Sequence, residues 1–537
     1  MADRTPRPGP VDRSVLTLPP YTHRAERVWH DPSFNDILKC INCPRDAYDA
    51  GGQRNPRVLV LIRDAGFLGV ERIGNMRLDH FLITSLVERW RPETHTFHLP
   101  FGEVGISLQD VAILLGLSID GMPLSGPTAN TNAAWIHMCT ELAGFTPHES
   151  DLERGVEIKC RAITCTPIRP ESTEEEVTQH ARVVVWQLLG GLLFPNTSGD
   201  KIRLYFLEIL NGDLADARRW SWGSAVLGFL YHYLCKGSKW NARQIGGCLH
   251  LLQLWAWERL PMLRPQLLRP INLGHLPYGC RWIGPHSFSE GGRHALPILR
   301  DLLDRMRESQ FVWTPYPLGN LPEDIRNQSR LWFAEVMLIF CDYAERHYPD
   351  RFCRHFFAIQ REPKPTLQGT CHHTISSRAS ATSLALWAER DMHLYEPTWP
   401  PLDGRNVADG HRTWYARTGW KRVVNPSHAT PRTGYTPAIR ELGVTLQCIH
   451  DTYQLADNLA DHEDIKDRLS QCVIALDVEE VLHQGIFHYP DADYEPDPMP
   501  PPRQDHRGYV VPHIETAAAG DEDEYEEYEE DEDENDN

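Results

Sequence analysis

The 537-residue sequence lacks most of the signals that place a chain in a common class. No apolar run reaches the roughly 18 residues that a membrane-spanning helix needs, which argues against an integral membrane protein. The first 20 residues carry arginines among prolines and contain no apolar signal core, which argues against secretion.

Motifs for nucleotide binding and hydrolysis are also missing. The sequence contains neither G-x-G-x-x-G nor G-x-x-x-x-G-K-[ST], so no phosphate cradle is indicated, and it contains no H-E-x-x-H zinc motif. It has no G-x-S-x-G nucleophile elbow. Asp213 follows a glycine but lacks the histidine of the metallophosphatase G-D-x-H-G motif. These absences predict a non-enzymatic protein without cofactor or metal.

Lysine is scarce: the chain has 8 lysines and 46 arginines. Arginine suits bidentate recognition of phosphate or carboxylate, but the even spread of the arginines favours codon bias as the explanation. The 13 cysteines show no repeating spacing, which predicts reduced thiols in an intracellular compartment. The pair Cys40 and Cys43 has C-x-x-C spacing but no further ligands nearby, so free thiols are favoured over a zinc site.

The net charge of −20 is concentrated at one end of the sequence. Residues 521–537 carry 13 acidic and no basic side chains, and the remaining 520 residues sum to −7. A body of −7 neither indicates a general nucleic-acid binder nor forbids a local basic patch. The acidic end is a separable segment that is predicted to be disordered.

The pattern of apolar stripes and breaks predicts four segments. The fold class is mainly α, a multi-helix globular core with a few short β-strands and one hairpin, followed by a disordered acidic C-terminal tail. The predicted segments are a disordered arm over 1–24, the core domain over 25–360, a helical extension over 361–487, and a Pro-rich and acidic tail over 488–537.

Individual elements follow from local periodicity. Helices are predicted around 226–233, 245–256, 331–339, 437–459 and 462–484, and strands at 58–62, 96–99, 105–107 and 310–314, of which 96–99 and 105–107 would form the hairpin. Most of the 16 tryptophans fall inside helical stripes and are interpreted as core residues rather than base-stacking platforms.

The sharpest local pattern begins at Ser107. This residue can cap a helix, Asp110 suits the positive helix N-terminus, and Gly116 can end the helix. The same pattern opens a helix-turn-helix motif, but the following residues 118–123 break helices where the groove-entering helix should begin. A structural helix is therefore favoured over a DNA-reading one.

Acidic and histidine side chains gather between Asp79 and Glu103. A catalytic or metal-binding interpretation uses Asp79, Glu88, Glu93 and Glu103 together with His80, His95 and His98. The segment contains none of the recognised ligand spacings, so helix surfaces and satisfied turns are favoured. A cryptic metal-dependent hydrolase remains an alternative.

Several arginines lie in the same region and could contact nucleic acid. The candidate patch comprises Arg63, Arg72, Arg77, Arg89 and Arg91, with Arg77, Arg89 and Arg91 as the preferred contacts. Phosphate contact by such a patch would make affinity fall steeply with salt.

Several sequence blocks occur in the order found in one known family. They are Leu78–Trp90, Glu93–Glu103, Leu108–Leu117, Trp222–Tyr231, Ile245–Arg259 and Val312–Tyr316. The chain resembles the plant mobile domain family, also called aminotransferase-like plant mobile domain, over about residues 25–360. Within the family it is most similar to the maintenance-of-meristems group and to phosphatase long-form homologs without a phosphatase domain.

The resemblance implies a plant nuclear protein. Members are linked to meristem maintenance, genome stability and silencing of transposable elements, and the domain is also carried by transposons. The resemblance therefore implies contacts with nuclear proteins or chromatin, and offers no catalytic residue to transfer. A transposon-derived nucleic-acid-binding module is the first alternative function. The sequence leaves the oligomeric state open.

Overall fold

The computed structural model describes residues 9–18, 22–31, 33–42, 55–74, 76–126, 130–267, 272–284, 286–287, 296–364, 381–397, 407–408 and 410–425, and the backbone of 503–504 and 510–511. The chain divides into two units, Met1–Pro431 and Arg432–Asn537. In the second unit, the described residues form one antiparallel strand pair. The helices predicted at 437–459 and 462–484 and the acidic tail lie outside the described residues.

Helices dominate the described part of the chain, which confirms the mainly α fold class. They are α1 Arg24–His30, α2 Pro56–Asp64, α3 Leu68–Ile73, α4 His80–Val87, α5 Leu108–Leu115, α6 Asn132–Ala143, α7 Glu174–Leu188, α8 Tyr205–Ile209, α9 Trp222–Gly237, α10 Leu249–Arg259, α11 Leu296–Asp304, α12 Glu323–Asn327, α13 Ala381–Ala388 and α14 His411–Thr418. Short 3₁₀ segments connect many of them.

The strands are short and form small sheets. They are β1 Lys39–Cys40, β2 Trp90–Arg91, β3 Thr96–Leu99, β4 Gly102–Val104, β5 Leu152–Glu153, β6 Glu157–Lys159, β7 Lys201–Arg203, β8 Gln244–Ile245, β9 Gln266–Leu267, β10 His286–Ser287, β11 Met337–Phe340, β12 Tyr343–Arg346, β13 Arg503–Gln504 and β14 Val510–Val511. Two sheets have three strands, β2-β3-β4 and β5-β6-β7.

Helix α5 forms where the capping pattern predicts it. The Ser107 hydroxyl accepts from the Asp110 amide at 3.3 Å, and the Asp110 carboxylate accepts from the Ser107 amide at 2.7 Å, which completes a capping box. Gly116 ends the helix with φ +69, a conformation that glycine adopts without steric cost. Residues 117–126, all of which the structure describes, contain no second helix, so the helix-turn-helix alternative is not supported.

The centre of the fold is α9, which is buried on nearly all sides. It confirms the helix predicted around 226–233. The helix predicted at 245–256 is confirmed from residue 249 onward as α10, whereas Ile245 lies in β8. The hairpin β11-β12 packs against α9, and a Cβ at Gly228 would lie 2.9 Å from the Leu338 carbonyl oxygen. Glycine at this position allows the strand backbone to approach the helix closely.

The long helix predicted around 331–339 is wrong. A 3₁₀ segment covers Ser329–Phe333, and the apolar residues after it form β11, which pairs with β12 in an antiparallel hairpin. Cys341 and Asp342 make the two-residue turn, with φ +49 at Cys341. A short buried strand has no polar face, so its periodicity resembles that of a buried helix.

The strand predicted at 58–62 is also wrong, because this segment lies in α2. Asn55 accepts from the Arg57 amide at 3.0 Å, and Pro56 fits the first helical position. Val58 and Ile62, four residues apart, are buried on one face. Local caps here outweigh the β-branched composition.

Of the other predicted strands, one is confirmed. Thr96–Leu99 is β3, and its hairpin partner is Gly102–Val104 rather than 105–107, because Leu99 pairs with Gly102. The segment 310–314 is not a strand: Glu308–Gln310 is 3₁₀, and the Val312 amide donates to Arg259 at 3.0 Å.

The two ends of the first unit pack on each other. Residues 9–18 fall within the predicted disordered arm, yet the Val11 amide donates to the Arg417 carbonyl at 2.7 Å. Leu16, 3% exposed, packs in a small cluster with Trp420 and Val423. The described part of the arm is thus held by apolar burial. The unit also extends past the predicted boundary at 360, since its residues up to 425 pack on the core.

Among the residues that the structure describes, no helix combines the length and the apolar character needed to cross a bilayer.

Candidate functional site

The three-stranded sheet β2-β3-β4 carries the polar segment that the sequence singled out. Its antiparallel register places His98 directly opposite Glu103. The His98 Nε2 atom lies 3.1 Å from the Glu103 Oε1 atom, and both side chains are 1% exposed. The hairpin therefore creates a buried imidazole–carboxylate pair.

Arg351 completes this pair from a 3₁₀ segment, Pro349–Phe356. Its Nη1 atom donates to both Glu103 carboxylate oxygens, at 2.8 and 3.0 Å. Burial favours the neutral carboxyl, but Arg351 and His98 outweigh it and lower the pKa of Glu103. Glu103 is therefore an ionised partner to a buried guanidinium.

His98 is held on both ring nitrogens. Nδ1 accepts from the Trp420 amide at 3.0 Å, while Nε2 donates to Glu103. Burial lowers the pKa of His98 in spite of the Glu103 charge, so the neutral tautomer with Nε2 protonated fits both contacts. An imidazole fixed in this way acts as a connector between β3 and the segment after α14.

A second buried ion pair joins α4 to α11. The Glu88 carboxylate accepts two bonds from Arg300, at 2.6 and 2.7 Å, and lies 3.9 Å from Arg24. Next to it, Arg89 pairs with Asp304, which also accepts from the Val423 amide at 2.9 Å. These contacts hold the C-terminal end of α4 against α11.

A third pair anchors α5 to α10. Asp110, already part of the capping box, accepts from Arg259 Nη2 at 2.7 Å and from the Tyr316 hydroxyl at 2.6 Å. Arg259 and Asp110 are both fully buried. Burial raises the pKa of Tyr316 well above its usual value, which keeps the hydroxyl a donor.

A fourth carboxylate, Glu345 in β12, lies between two histidines. Its oxygens are 3.3 Å from His95 Nε2 and 3.3 Å from His232 Nδ1. We call the four groups around Glu103, Glu88, Asp110 and Glu345 the buried charge network. They connect α4, α5, α9, α10, α11 and the sheet.

The sequence-predicted catalytic residues are divided among separate contacts. Asp79 caps α4 by accepting from the Phe81 and Leu82 amides, each at 3.0 Å. The His80 Nδ1 atom accepts from the Cys40 amide at 3.4 Å, and Glu93 accepts from the Leu18 amide at 3.0 Å. Within the described residues, no group of three or more His, Cys, Asp or Glu side chains could hold a metal ion.

Two of the five arginines in the predicted patch are buried. Arg89 is 1% and Arg91 3% exposed, whereas Arg63, Arg72 and Arg77 are exposed. The Arg91 guanidinium lies 4.3 Å from the centroid of the Trp420 ring, and burial lowers its pKa to about 10. Arg89 and Arg91 lie on or next to a sheet that the fold covers, so neither presents its charge to a ligand in solution.

One cleft lies between α2, α5 and α12, with a volume of about 230 Å³. Its polar lining is already engaged. The Gln328 side-chain oxygen accepts from the Ile119 and Asp120 amides at 2.8 and 3.0 Å, and Arg218 donates to the Asp64 carbonyl at 2.7 Å. These bonds hold the cleft walls together.

The cysteines follow the prediction in part. Eight of those described are free thiols, and Cys160 is disulfide-bonded, which corrects the prediction that the thiols are reduced throughout. Cys40 is free and buried, and burial raises the pKa of its thiol. Cys43 lies outside the described residues.

Local sequence patterns do not identify six members of the buried charge network, which are Arg259, Arg300, Arg351, Asp304, Tyr316 and Glu345. Their partners lie far along the chain, 248 positions for Arg351 and Glu103. One signal was available: Arg259 ends a helix in which seven of eleven residues are apolar, and a charge placed there needs a partner.

The sequence of this region matches a known class of protein. The plant mobile domain profile matches residues 66–416. The chain is a member of the plant mobile domain family, as the order of its sequence blocks predicted.

Relatives from Arabidopsis thaliana carry the same region. The protein MAIN-LIKE 1 is 33% identical over 422 residues, 76% of this chain and 79% of that protein. The protein MAINTENANCE OF MERISTEMS is 31% identical over 307 residues, 57% of this chain and 63% of that protein.

A third relative is the serine/threonine-protein phosphatase 7 long form homolog, which is 34% identical over 444 residues. These are 78% of this chain but 32% of that protein, so the chain spans about a third of its length. No solved structure matches the chain.

Proposed function

We propose that the chain acts in the plant nucleus as a non-enzymatic member of the maintenance-of-meristems group. In this role it supports meristem development, genome stability and silencing of transposable elements through contacts with nuclear proteins or chromatin. The observation that carries the proposal is the similarity to MAINTENANCE OF MERISTEMS and MAIN-LIKE 1 across most of the domain.

The geometry of the domain supports a binding role. The acidic and histidine side chains that could do chemistry are used in buried contacts between elements, as with His98 and Glu103. Such a network holds many chain segments in one arrangement and leaves the surface to make contacts. We therefore propose that partners are recognised at the surface.

Rescue of a null plant line tests the nuclear role. The wild-type chain would be expressed with either an active nuclear-export signal or a matched inactive one. We expect the inactive-signal fusion alone to restore meristem growth and the repression of transposon transcripts, measured by RNA sequencing. Equal rescue by both fusions would contradict the proposal.

The acidic segment 521–537 could compete with nucleic acid for basic partners such as histones. Removing it tests this part separately: we expect less of the chain in the chromatin fraction of nuclei. Unchanged association would show that the segment has no such role.

A further inference from the structure

Trp240 is the exposed exception among the tryptophans of the described residues. It is 46% exposed, whereas the tryptophans at 90, 135, 186, 222, 255, 257 and 282 are at most 2% exposed. A single exposed apolar side chain is common and needs no explanation. The surroundings of Trp240 are what set it apart.

Trp240 borders an open depression of about 560 Å³ on the surface. The other lining residues are Arg27, His30 and Asp31. The Arg27 guanidinium lies 5.8 Å from the centroid of the Trp240 ring and pairs with Asp31 at 3.3 Å. An indole ring, a guanidinium and its partner carboxylate therefore share one concave surface.

The chain around Trp240 carries more cations than carboxylates. Exposed Lys239 and Arg243 and half-buried Lys236 lie within four positions of Trp240, and the amide of exposed Lys39 donates to the Arg243 carbonyl. With Arg27 they make five cations against two carboxylates, since Arg27 pairs with Asp31 and Arg243 pairs with Asp36 at 3.5 Å. We call these residues with Trp240 and His30 the Trp240 surface. Its excess of three positive charges contrasts with the net charge of −20 for the chain.

The backbone beneath the Trp240 surface is fixed. The Trp240 amide donates to Thr22 at 3.1 Å, and the Lys39 amide donates to Arg243 at 3.0 Å beside the parallel pairing of β1 with β8. Buried Arg24 donates to the Ala242 carbonyl at 2.9 Å. A ligand would meet groups that are already ordered, which reduces the entropy cost of binding.

We propose that the Trp240 surface binds single-stranded nucleic acid, with an unpaired base stacked on the Trp240 indole and the backbone phosphates near Lys39, Lys239 and Arg243. Aromatic platforms within a positive groove are the typical way to bind single strands without sequence preference. A duplex keeps its bases stacked inside and offers only phosphates. An acidic peptide offers charge but no planar base.

This inference does not depend on where in the cell the protein acts. It also differs from the arginine patch predicted from the sequence, because it involves other residues on another surface.

Binding of a fluorescein-labelled 15-nucleotide oligo-dT to the full chain, measured by anisotropy at 50 mM salt, tests the proposal. Trp240→Ala should weaken binding about tenfold, and Trp240→Phe should restore most of it, since stacking contributes about 1–3 kcal/mol per base. Met392→Ala, at a side chain 72% exposed elsewhere, is the matched control and should bind like wild type.

The charged residues have their own test. The double variant Lys239→Gln/Arg243→Gln should reduce the slope of log affinity against log salt by about 1.4, because each lost phosphate contact removes about 0.7. Arg219→Gln/Arg305→Gln, at two exposed arginines elsewhere, should leave the slope unchanged.

Three results would overturn the proposal: no oligo-dT binding at low salt, binding that Trp240→Ala leaves unchanged, or equal competition by a duplex or a poly-glutamate peptide. The last result would show that charge alone is recognised.

Discussion

The buried charge network and the Trp240 surface are built from similar residues and do different things. In the network, Arg351 and Arg300 each face a carboxylate with both oxygens in reach. Outside the network, Arg91 lies over the Trp420 ring and is also buried. At the Trp240 surface, cations outnumber carboxylates and the aromatic ring is half exposed. Arginine and tryptophan content alone therefore does not locate a binding site. We expect the balance of charge around each aromatic ring to locate it.

The comparison also separates two kinds of energy. Removing one partner of a buried ion pair leaves a charge without compensation in a poorly polarisable interior, which is costly. An exposed pair is screened by water and contributes little. The network should therefore control folding, and the Trp240 surface should control binding.

The largest expected effect is at Glu103. Glu103→Ala strands Arg351 and should lower the free energy of unfolding by about 3–5 kcal/mol, measured by urea denaturation. Glu153→Ala is the matched control, because its partner Lys201 is 2.5 Å away but partly exposed. It should cost less than about 1 kcal/mol. Similar losses for the two variants would remove the distinction between network and surface.

The next effect is a pH dependence from a buried histidine. Burial lowers the pKa of His347 from 6.5 to about 4, and Nδ1 donates to the Ala334 carbonyl at 2.7 Å. As the pH falls, this histidine takes up a proton near pH 6.5 in the unfolded chain but only near pH 4 in the folded chain. The folded state therefore loses stability relative to the unfolded state as the pH falls from 6.5 to 4. The loss is about 3 kcal/mol.

The measurement is urea denaturation at pH 7 and pH 4. His347→Asn keeps a donor for Ala334 and cannot titrate. Its free energy of unfolding should therefore fall by about 3 kcal/mol less than that of the wild type between pH 7 and pH 4. An identical pH dependence in both proteins would show that His347 is not the responsible group.

A smaller effect compares two capping boxes. Ser107 caps the buried α5, and Thr173 caps the exposed start of α7 with Glu176. Ser107→Ala should cost up to about 2 kcal/mol and Thr173→Ala about 0.5–1 kcal/mol, because water can replace the exposed cap. Thermal or urea unfolding measures both, and a larger loss at Thr173 would contradict this ranking.

The smallest expected effect is on stability at the Trp240 surface. Lys239→Gln/Arg243→Gln should change the free energy of unfolding by no more than about 0.5 kcal/mol, since exposed charges contribute little to folding. The same urea experiment with Arg300→Gln, which removes the two charge-assisted bonds from Arg300 to buried Glu88, should show a loss several times larger. A large loss for the surface pair would mean that these cations support the fold.

Elements with local signals could be predicted from the sequence. Helix α5 has its cap, its apolar face and its terminal glycine within ten residues, and the hairpin at β3-β4 has a Pro-Phe turn. Even the His98–Glu103 contact follows from that hairpin, because a turn at 100–101 places residues 98 and 103 opposite each other.

Contacts between distant segments could not be predicted in this way. Arg259 and Asp110 are 149 positions apart, and nothing in either local pattern names the other. Arg89 and Arg91 look like an exposed basic patch because charge suggests solvent, yet their partners bury them. The sequence pattern favours Trp240 as a core residue within a helical stripe. In the structure α9 ends at Gly237, before Trp240.

The packing between the two ends of the first unit determines where a recombinant fragment can begin and end. The family profile ends at 416, but Trp420 supplies the amide for His98, and Val423 supplies one for Asp304. A recombinant fragment that stops at 416, or starts after Leu16, would expose apolar side chains that are buried beside the sheet β2-β3-β4. Expression boundaries should therefore include residue 9 at one end and residue 425 at the other, and affinity tags belong outside both.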